Sequence, residues 1–158
     1  LQELGTDALR NNLHPNIWVN ALMADYIPKG SYQFGMLDVS SDALSGFKVL
    51  SSESIYPKWV VTDVRFPNEI KAIHNANGLV IRIKRGPDPD WYDLALKHNK
   101  GSEQANIQLM NLKIHASETA WVGGKIDHTI INDSTIDDLF SQLEDLVKNQ
   151  ELDLLVAT

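Results

Sequence analysis

The sequence predicts an α/β fold built on a mostly parallel sheet, and three observations predict it. Residues 58–62, Lys-Trp-Val-Val-Thr, form a short β-rich run without alternation, the pattern of a strand buried on both faces. A helical stretch from Asn68 to Asn75 separates it from a second such run, Leu79-Val80-Ile81-Arg82-Ile83. A third run, Asp127 to Ile131, precedes a final helix. Strands alternating with helices in this way give parallel neighbours joined by right-handed crossovers. The chain has 158 residues, 43% hydrophobic and 22% charged, which fits one domain with a core of its own.

The elements follow in order. Residues 1–12 read as helix. Pro15 opens a second helix at its first turn, with Ile17, Trp18, Ala21, Leu22 and Tyr26 as its apolar stripe. Pro28-Lys29-Gly30 ends it. Residues 31–56 are Ser-rich and Gly-punctuated, a variable connection with room for a hairpin. In the helix from Asn68, Ile70, Ala72 and Ile73 face inward, and Gly78 suits the turn that ends it. Gly86-Pro87-Asp88-Pro89 is a turn. Asp90 to His98 reads as helix, and residues 101–126 carry further helical stretches around Ile107, Leu109, Met110 and Leu112. Asp133 or Ser134 caps the last helix, with Asp137 three residues after Ser134 in the manner of a capping box. Ile136, Leu139, Phe140, Leu143, Leu146 and Val147 form its core stripe, and the acidic tail after 149 frays.

Composition excludes several classes. The net charge of −7 argues against duplex nucleic acid as a partner. No apolar run approaches the ~18 residues of a membrane span, and no basic region followed by an apolar stretch marks a secretory signal. Zero cysteines rule out a disulfide scaffold, a thiolate zinc site and a cysteine nucleophile, and fit a reducing, cytoplasmic setting. The five histidines show no metal-ligand spacing. The charge is uneven: residues 57–100 hold eight basic and five acidic groups inside an acidic chain. Solvated faces explain this, and so does a phosphate-binding strip.

The densest local chemistry is Thr62-Asp63-Val64-Arg65-Phe66-Pro67-Asn68-Glu69, just past the C-terminal end of the first predicted strand. Ligands bind at that edge of open α/β sheets. Asp63, Arg65 and Glu69 read either as an ion pair plus a helix-start carboxylate, or as an arginine that grips an anion with carboxylates positioning it. Arg82 and Arg85 end the next strand on the same edge, with Lys84 between them. In a parallel pair, Arg65 and Arg85 face one crevice, suited to an oligophosphate. His115-Ala116-Ser117-Glu118 offers a base, a hydroxyl and a carboxylate, but four consecutive residues rarely aim at one atom, and no G-x-S-x-G elbow exists. Trp18 fits a core or a base-stacking platform. Gly5, Thr6 and Arg10 suit close backbone approach to a phosphate.

Taken in order, Leu1-Gln2-Glu3-Leu4-Gly5-Thr6-Asp7 with Arg10, Ile17-Trp18-Val19, and Val60-Val61-Thr62-Asp63-Val64-Arg65-Phe66-Pro67-Asn68-Glu69 resemble phage-type deoxynucleoside monophosphate kinases. Val80-Ile81-Arg82 through Arg85-Gly86-Pro87, His115-Ala116-Ser117-Glu118 and Thr129-Ile130-Ile131-Asn132-Asp133 agree. The resemblance covers nearly the whole chain and is weakest over residues 30–56. It implies the P-loop kinase fold, a three-layer α/β arrangement that transfers the ATP γ-phosphoryl group to a deoxynucleoside monophosphate with Mg²⁺. It implies that Gly5, Thr6, Arg10, Trp18, Asp63, Arg65 and Glu69 bind the nucleoside monophosphate. Trp18 would lie on the base and Arg65 on the acceptor phosphate, with Arg65 and Asp63 as the catalytic pair. Arg82, Arg85, His115 and Glu118 would belong to the lid side, toward the ATP phosphates.

By the same resemblance, residues 1–56 are the substrate-side helices and variable connection. Residues 57–150 are the sheet core, with a lid-like segment at 86–126. The implied partner is the deoxynucleotide, without nucleic acid or membrane; a homodimer is left open, and a phage-encoded chain would act in the host cytoplasm. One departure is large: neither G-x-x-x-x-G-K-[ST] nor the related G-K-D-T occurs in the 158 residues. The sequence is therefore read as an N-terminally truncated domain lacking the P-loop, its strand and its helix. That strand would sit between strands 58–62 and 79–83. ATP and Mg²⁺ are expected for the complete enzyme, and neither is expected to bind tightly to this chain alone. The alternative is a non-catalytic nucleotide-binding or oligomerising relative without a P-loop.

Overall fold

The computed structural model describes residues 3–36 and 47–156. Leu1 and Gln2 of the matched stretch, and residues 37–46 of the variable connection, lie outside the described residues. The chain divides between Thr62 and Asp63 into two compact units. The described residues hold one antiparallel hairpin and one parallel strand pair among helices, a mixed α/β composition.

The first unit opens with a π-helix, Glu3–Asn11, where a helix was expected. Arg10 is buried at 7% exposure and donates from Nη1 to the Pro15 carbonyl at 3.2 Å, across the break into α1 (Ile17–Met23). Strands β1 (Lys29–Met36) and β2 (Phe47–Ile55) pair antiparallel from Lys29 opposite Ile55 to Met36 opposite Phe47, so the connection does contain a hairpin. Tyr26 stacks on Tyr56 at 5.2 Å between ring centroids and meets Trp59 at 5.1 Å.

Two expectations for this unit are corrected. The apolar stripe of α1 is not core: none of its residues is buried, and the helix packs on the π-helix. Residues 58–62 form no strand, and Val60 is 88% exposed. β-Propensity needs a hydrogen-bonding neighbour to become a strand, and no described strand pairs with this run. The β-α-β unit expected over 58–83 therefore lacks its first strand.

The second unit runs α2 (Pro67–Asn75), β3 (Ile81–Lys84), α3 (Tyr92–Asn99), α4 (Glu103–Leu112), α5 (Ala116–Thr119), β4 (His128–Ile131) and α6 (Ile136–Val156). β3 and β4 are parallel, with Ile81 opposite His128 and Lys84 opposite Ile131. In α2, Ile70 is buried and Ala72 and Ile73 half-buried, as their spacing requires. The helix ends in a Schellman turn. Gly78 N donates to Ile73 O at 2.9 Å and Asn77 N to His74 O at 3.0 Å. The left-handed residue is Asn77, at φ +57°, rather than Gly78. Gly78 is needed for space: a Cβ there would lie 2.8 Å from Ile73 Cγ2 and 3.1 Å from Ile73 O.

The segment read as lid-like is the packed part of this unit. Ala95, Leu109 and Val122 form its core, with Trp91, Tyr92, Leu94, Leu96 and Trp121 against them. Asn99 holds the loop after α5, donating from Nδ2 to the carbonyls of Thr119 and Val122, both at 2.8 Å. Of the apolar residues expected in this segment's helices, Leu109 alone is buried; Ile107, Met110 and Leu112 are exposed.

Strand β3 inverts expectation. Ile81 and Ile83 are exposed, while Arg82 and Lys84 are half-buried, because the turn at Asp88 and the start of α3 bind the polar face. The cap of α6 lies one residue later than expected. Thr135 N donates to Asp138 Oδ2 at 3.3 Å and Asp138 N to Thr135 Oγ1 at 3.2 Å, a reciprocal capping box. The helix packs on β4 and continues to Val156, past the point where fraying was expected. Its stripe is split: Leu139, Leu143 and Leu146 are half-buried, and Ile136, Phe140 and Val147 are exposed. No helix among the described residues is long and apolar enough to cross a membrane.

Asp127 ties α2 to the start of both strands. Its Oδ2 accepts from Val80 N at 2.8 Å and from His74 Nε2 at 2.8 Å, and its own N donates to Val80 O at 2.9 Å. An ionised carboxylate only accepts, so the His74 proton sits on Nε2. The Val80 N–H, then His74 and Lys125, hold the Asp127 carboxyl below the usual carboxylate range.

Two outcomes follow. Gly78→Ala should destabilise the chain by about 1–3 kcal/mol in chemical denaturation, because the methyl meets Ile73 side chain and backbone at once. A depressed folded-state pKa contributes stability in full above the unfolded value of about 4, and loses it as pH falls through the lower folded value. Asp127→Asn should remove that part of the acid limb, measured as a shallower fall of the urea midpoint below about pH 4 than in the unaltered chain.

Candidate functional site: the Arg65 cluster

The stretch Asp63–Glu69 enters α2. Phe66 is the N-cap residue and Pro67 takes the first turn, where its missing N–H costs nothing. Phe66 has no side-chain acceptor, and the Glu69 carboxylate serves the helix start from the third position. Its Oε2 accepts from Arg65 N at 2.7 Å and Phe66 N at 3.0 Å. Glu69 therefore fixes the backbone that presents the Arg65 side chain.

Arg65 is held between two carboxylates. Nε donates to Asp63 Oδ1 and Nη1 to Glu118 Oε1, each at 2.5 Å. The side chains stay accessible, at 41% exposure for Arg65, 72% for Asp63 and 44% for Glu118. Asp63 first, then Glu118, raises the Arg65 pKa above its usual value, against a smaller opposing effect of burial. Glu118 sits on α5, and its backbone O accepts Trp121 Nε1–H at 2.9 Å.

Arg82 also meets Trp121. Its guanidinium carbon is 5.0 Å from the Trp121 ring centroid and 4.9 Å from that of Tyr92, a cation–π contact with each of two rings that themselves meet at 6.0 Å. Nη2 pairs with Asp88, which also accepts from Lys84 Nζ at 2.9 Å. Lys84 and then Arg82 lower the Asp88 pKa. The second arginine linked to Arg65, through Glu118 and Trp121, is thus Arg82, where Arg85 was expected to share the crevice. Arg85 is exposed.

Of the possible hydrolytic triad, His115 and Ser117 meet and Glu118 turns away. His115 caps α5: its Nδ1 accepts from Ser117 N at 3.2 Å and from the Ser117 hydroxyl at 2.8 Å. Ser117 is buried, and Glu118 turns to Arg65 instead.

Of the residues expected on one nucleotide, Asp63, Arg65 and Glu69 are gathered in the second unit, while Gly5, Thr6, Arg10 and Trp18 belong to the first. Gly5 lies in the π-helix, Thr6 and Arg10 are buried, and Trp18 is 46% exposed, not a core residue. Sequence reasoning missed Trp121, Tyr92 and Asp88. Only Asp88 left a signal, four residues after Lys84. No protein family, curated protein or solved structure matches the chain.

The cap role of Glu69 gives a direct test. Glu69→Ala should cost about 1 kcal/mol in thermal or chemical unfolding, the value of a lost N-terminal cap. Glu69→Gln keeps an acceptor oxygen and should lose less.

Proposed function

We propose that this chain binds a deoxynucleoside monophosphate and corresponds to the acceptor side of a phage-type deoxynucleoside monophosphate kinase, with a three-layer, mostly parallel P-loop kinase fold. The observation that carries the reading is Arg65: a half-exposed guanidinium at the entry to α2, its backbone fixed by Glu69 and its Nε aimed by Asp63. An arginine so held is pre-organised to take a phosphate through its remaining N–H groups. In acceptor binding, Arg65 neutralises phosphate charge, Asp63 keeps the guanidinium plane in place and Glu69 holds the loop. Phosphoryl transfer asks for positioning and charge neutralisation of this kind.

The chain's residues do not fit the donor side. No phosphate-cradling glycine loop with Lys-Ser/Thr occurs in the sequence. No three His, Cys, Asp or Glu side chains gather for a metal among the described residues. Arg82, proposed for the ATP phosphates, has its charge engaged by Asp88. The missing glycine loop equally favours a second reading, a relative that binds the mononucleotide without turning it over. Mononucleotide binding without phosphoryl transfer by the full natural protein would select it.

Calorimetric titration with the four deoxynucleoside monophosphates tests the shared claim. Arg65→Ala should weaken binding at least tenfold. Lys148→Ala, at an exposed pair with Glu144, should leave it unchanged. Equal effects of the two substitutions would remove Arg65 from the site.

A further inference from the structure

The polar clusters of the second unit differ in how their charges balance. At Asp88 one carboxylate meets Arg82 and Lys84, and at Asp127 one carboxylate meets His74 with Lys125 at 3.6 Å. Arg65 is the reverse: one cation against the carboxylates of Asp63 and Glu118. A phosphate approaching Arg65 enters a cluster that is already net negative, and one end of the guanidinium is in use. Bidentate phosphate binding uses two N–H groups on one edge. Each edge of the guanidinium includes a nitrogen that a carboxylate already engages, so a bidentate phosphate competes with Asp63 or with Glu118.

The geometry selects which. Asp63 is two residues from Arg65 and bonds Nε, the side of the guanidinium nearest the chain. Glu118 comes from 53 residues away, on the four-residue helix α5, and bonds Nη1 at the outer end. At 44% exposure its carboxylate has water to turn into, and an exposed ion pair of this kind is readily exchanged.

We infer that Glu118 is a built-in competitor for the ligand phosphate, occupying Nη1 of Arg65 until a phosphate monoester displaces it. This rests on the proposed reading of Arg65 as the phosphate-holding residue. Glu118 then sets how strong an anion must be to engage the site, a specificity exerted by repulsion as well as attraction.

The test is calorimetric titration of the unaltered chain, Glu118→Gln, Arg65→Ala and the double variant with deoxynucleoside monophosphates, and with the matching deoxynucleosides as phosphate-free controls. Glu118→Gln should bind the monophosphates three- to tenfold more tightly and the deoxynucleosides unchanged. The gain should vanish in the Arg65→Ala background. A residue that merely orients Arg65 would give the opposite sign. Monophosphate affinity unchanged or weakened by Glu118→Gln, with binding still lost in Arg65→Ala, overturns the competitor and leaves the proposed function standing. Arg65→Ala binding as tightly as the unaltered chain overturns both. Should Glu118→Gln fail to fold, Glu118→Ala takes its place with the same expected three- to tenfold gain for the monophosphates, and an affinity unchanged or weakened overturns the inference.

Discussion

The second unit depends on how Arg65 is held. Three carboxylates act on two adjacent residues: Glu69 on the Arg65 and Phe66 N–H groups, Asp63 on Nε of Arg65, and Glu118 on its Nη1 from a distant helix. Exposed ion pairs contribute only about 0–1 kcal/mol each, so this arrangement fixes position more than it adds stability. It aims one guanidinium while leaving it in contact with water. Arg82 shows the contrasting case. Packed against the Tyr92 and Trp121 rings and paired with Asp88, it fastens β3 to the turn and to α3.

Helix α2 is consequently held at both ends by different chemistry. At its start, accessible charges with an exchangeable partner meet at Arg65. At its end, a Schellman turn with no room for a side chain at Gly78, and the half-buried His74–Asp127–Val80 junction, lock it to the strands. Rigidity at the strand beginnings and exchange at the helix entry suit a site that must keep its geometry while trading one anion for another. Between them, the packed cluster of Ala95, Leu109 and Val122 carries Trp121, which touches both arginine systems.

What the sequence disclosed follows the range of the interactions. Helices α2, α3 and α6 and strands β3 and β4 were legible because periodicity and turn residues are local signals. The strand expected at 58–62 was not formed, since pairing depends on a neighbour that β-propensity does not supply. The α6 cap moved from Ser134 to Thr135 because two adjacent hydroxyls compete for Asp138. In the site, Asp63, Arg65 and Glu69 were visible as a charged junction, although the role of Glu69 as a backbone cap needs its 2.7 Å contact to be seen. Glu118 was set beside ATP by resemblance, and its contact with Arg65 spans 53 residues with no spacing to announce it. Trp121 was hidden for the same reason.

The most direct measurement is a nitrogen-resolved spectrum of the arginine side chains during titration with a deoxynucleoside monophosphate, with signals assigned by Arg→Lys substitution. The Arg65 Nε–H signal should move saturably with ligand while the Arg82 signal, enclosed by Tyr92, Trp121 and Asp88, stays in place. A saturable shift at Arg82 with Arg65 unmoved, or no shift at either, would contradict the account.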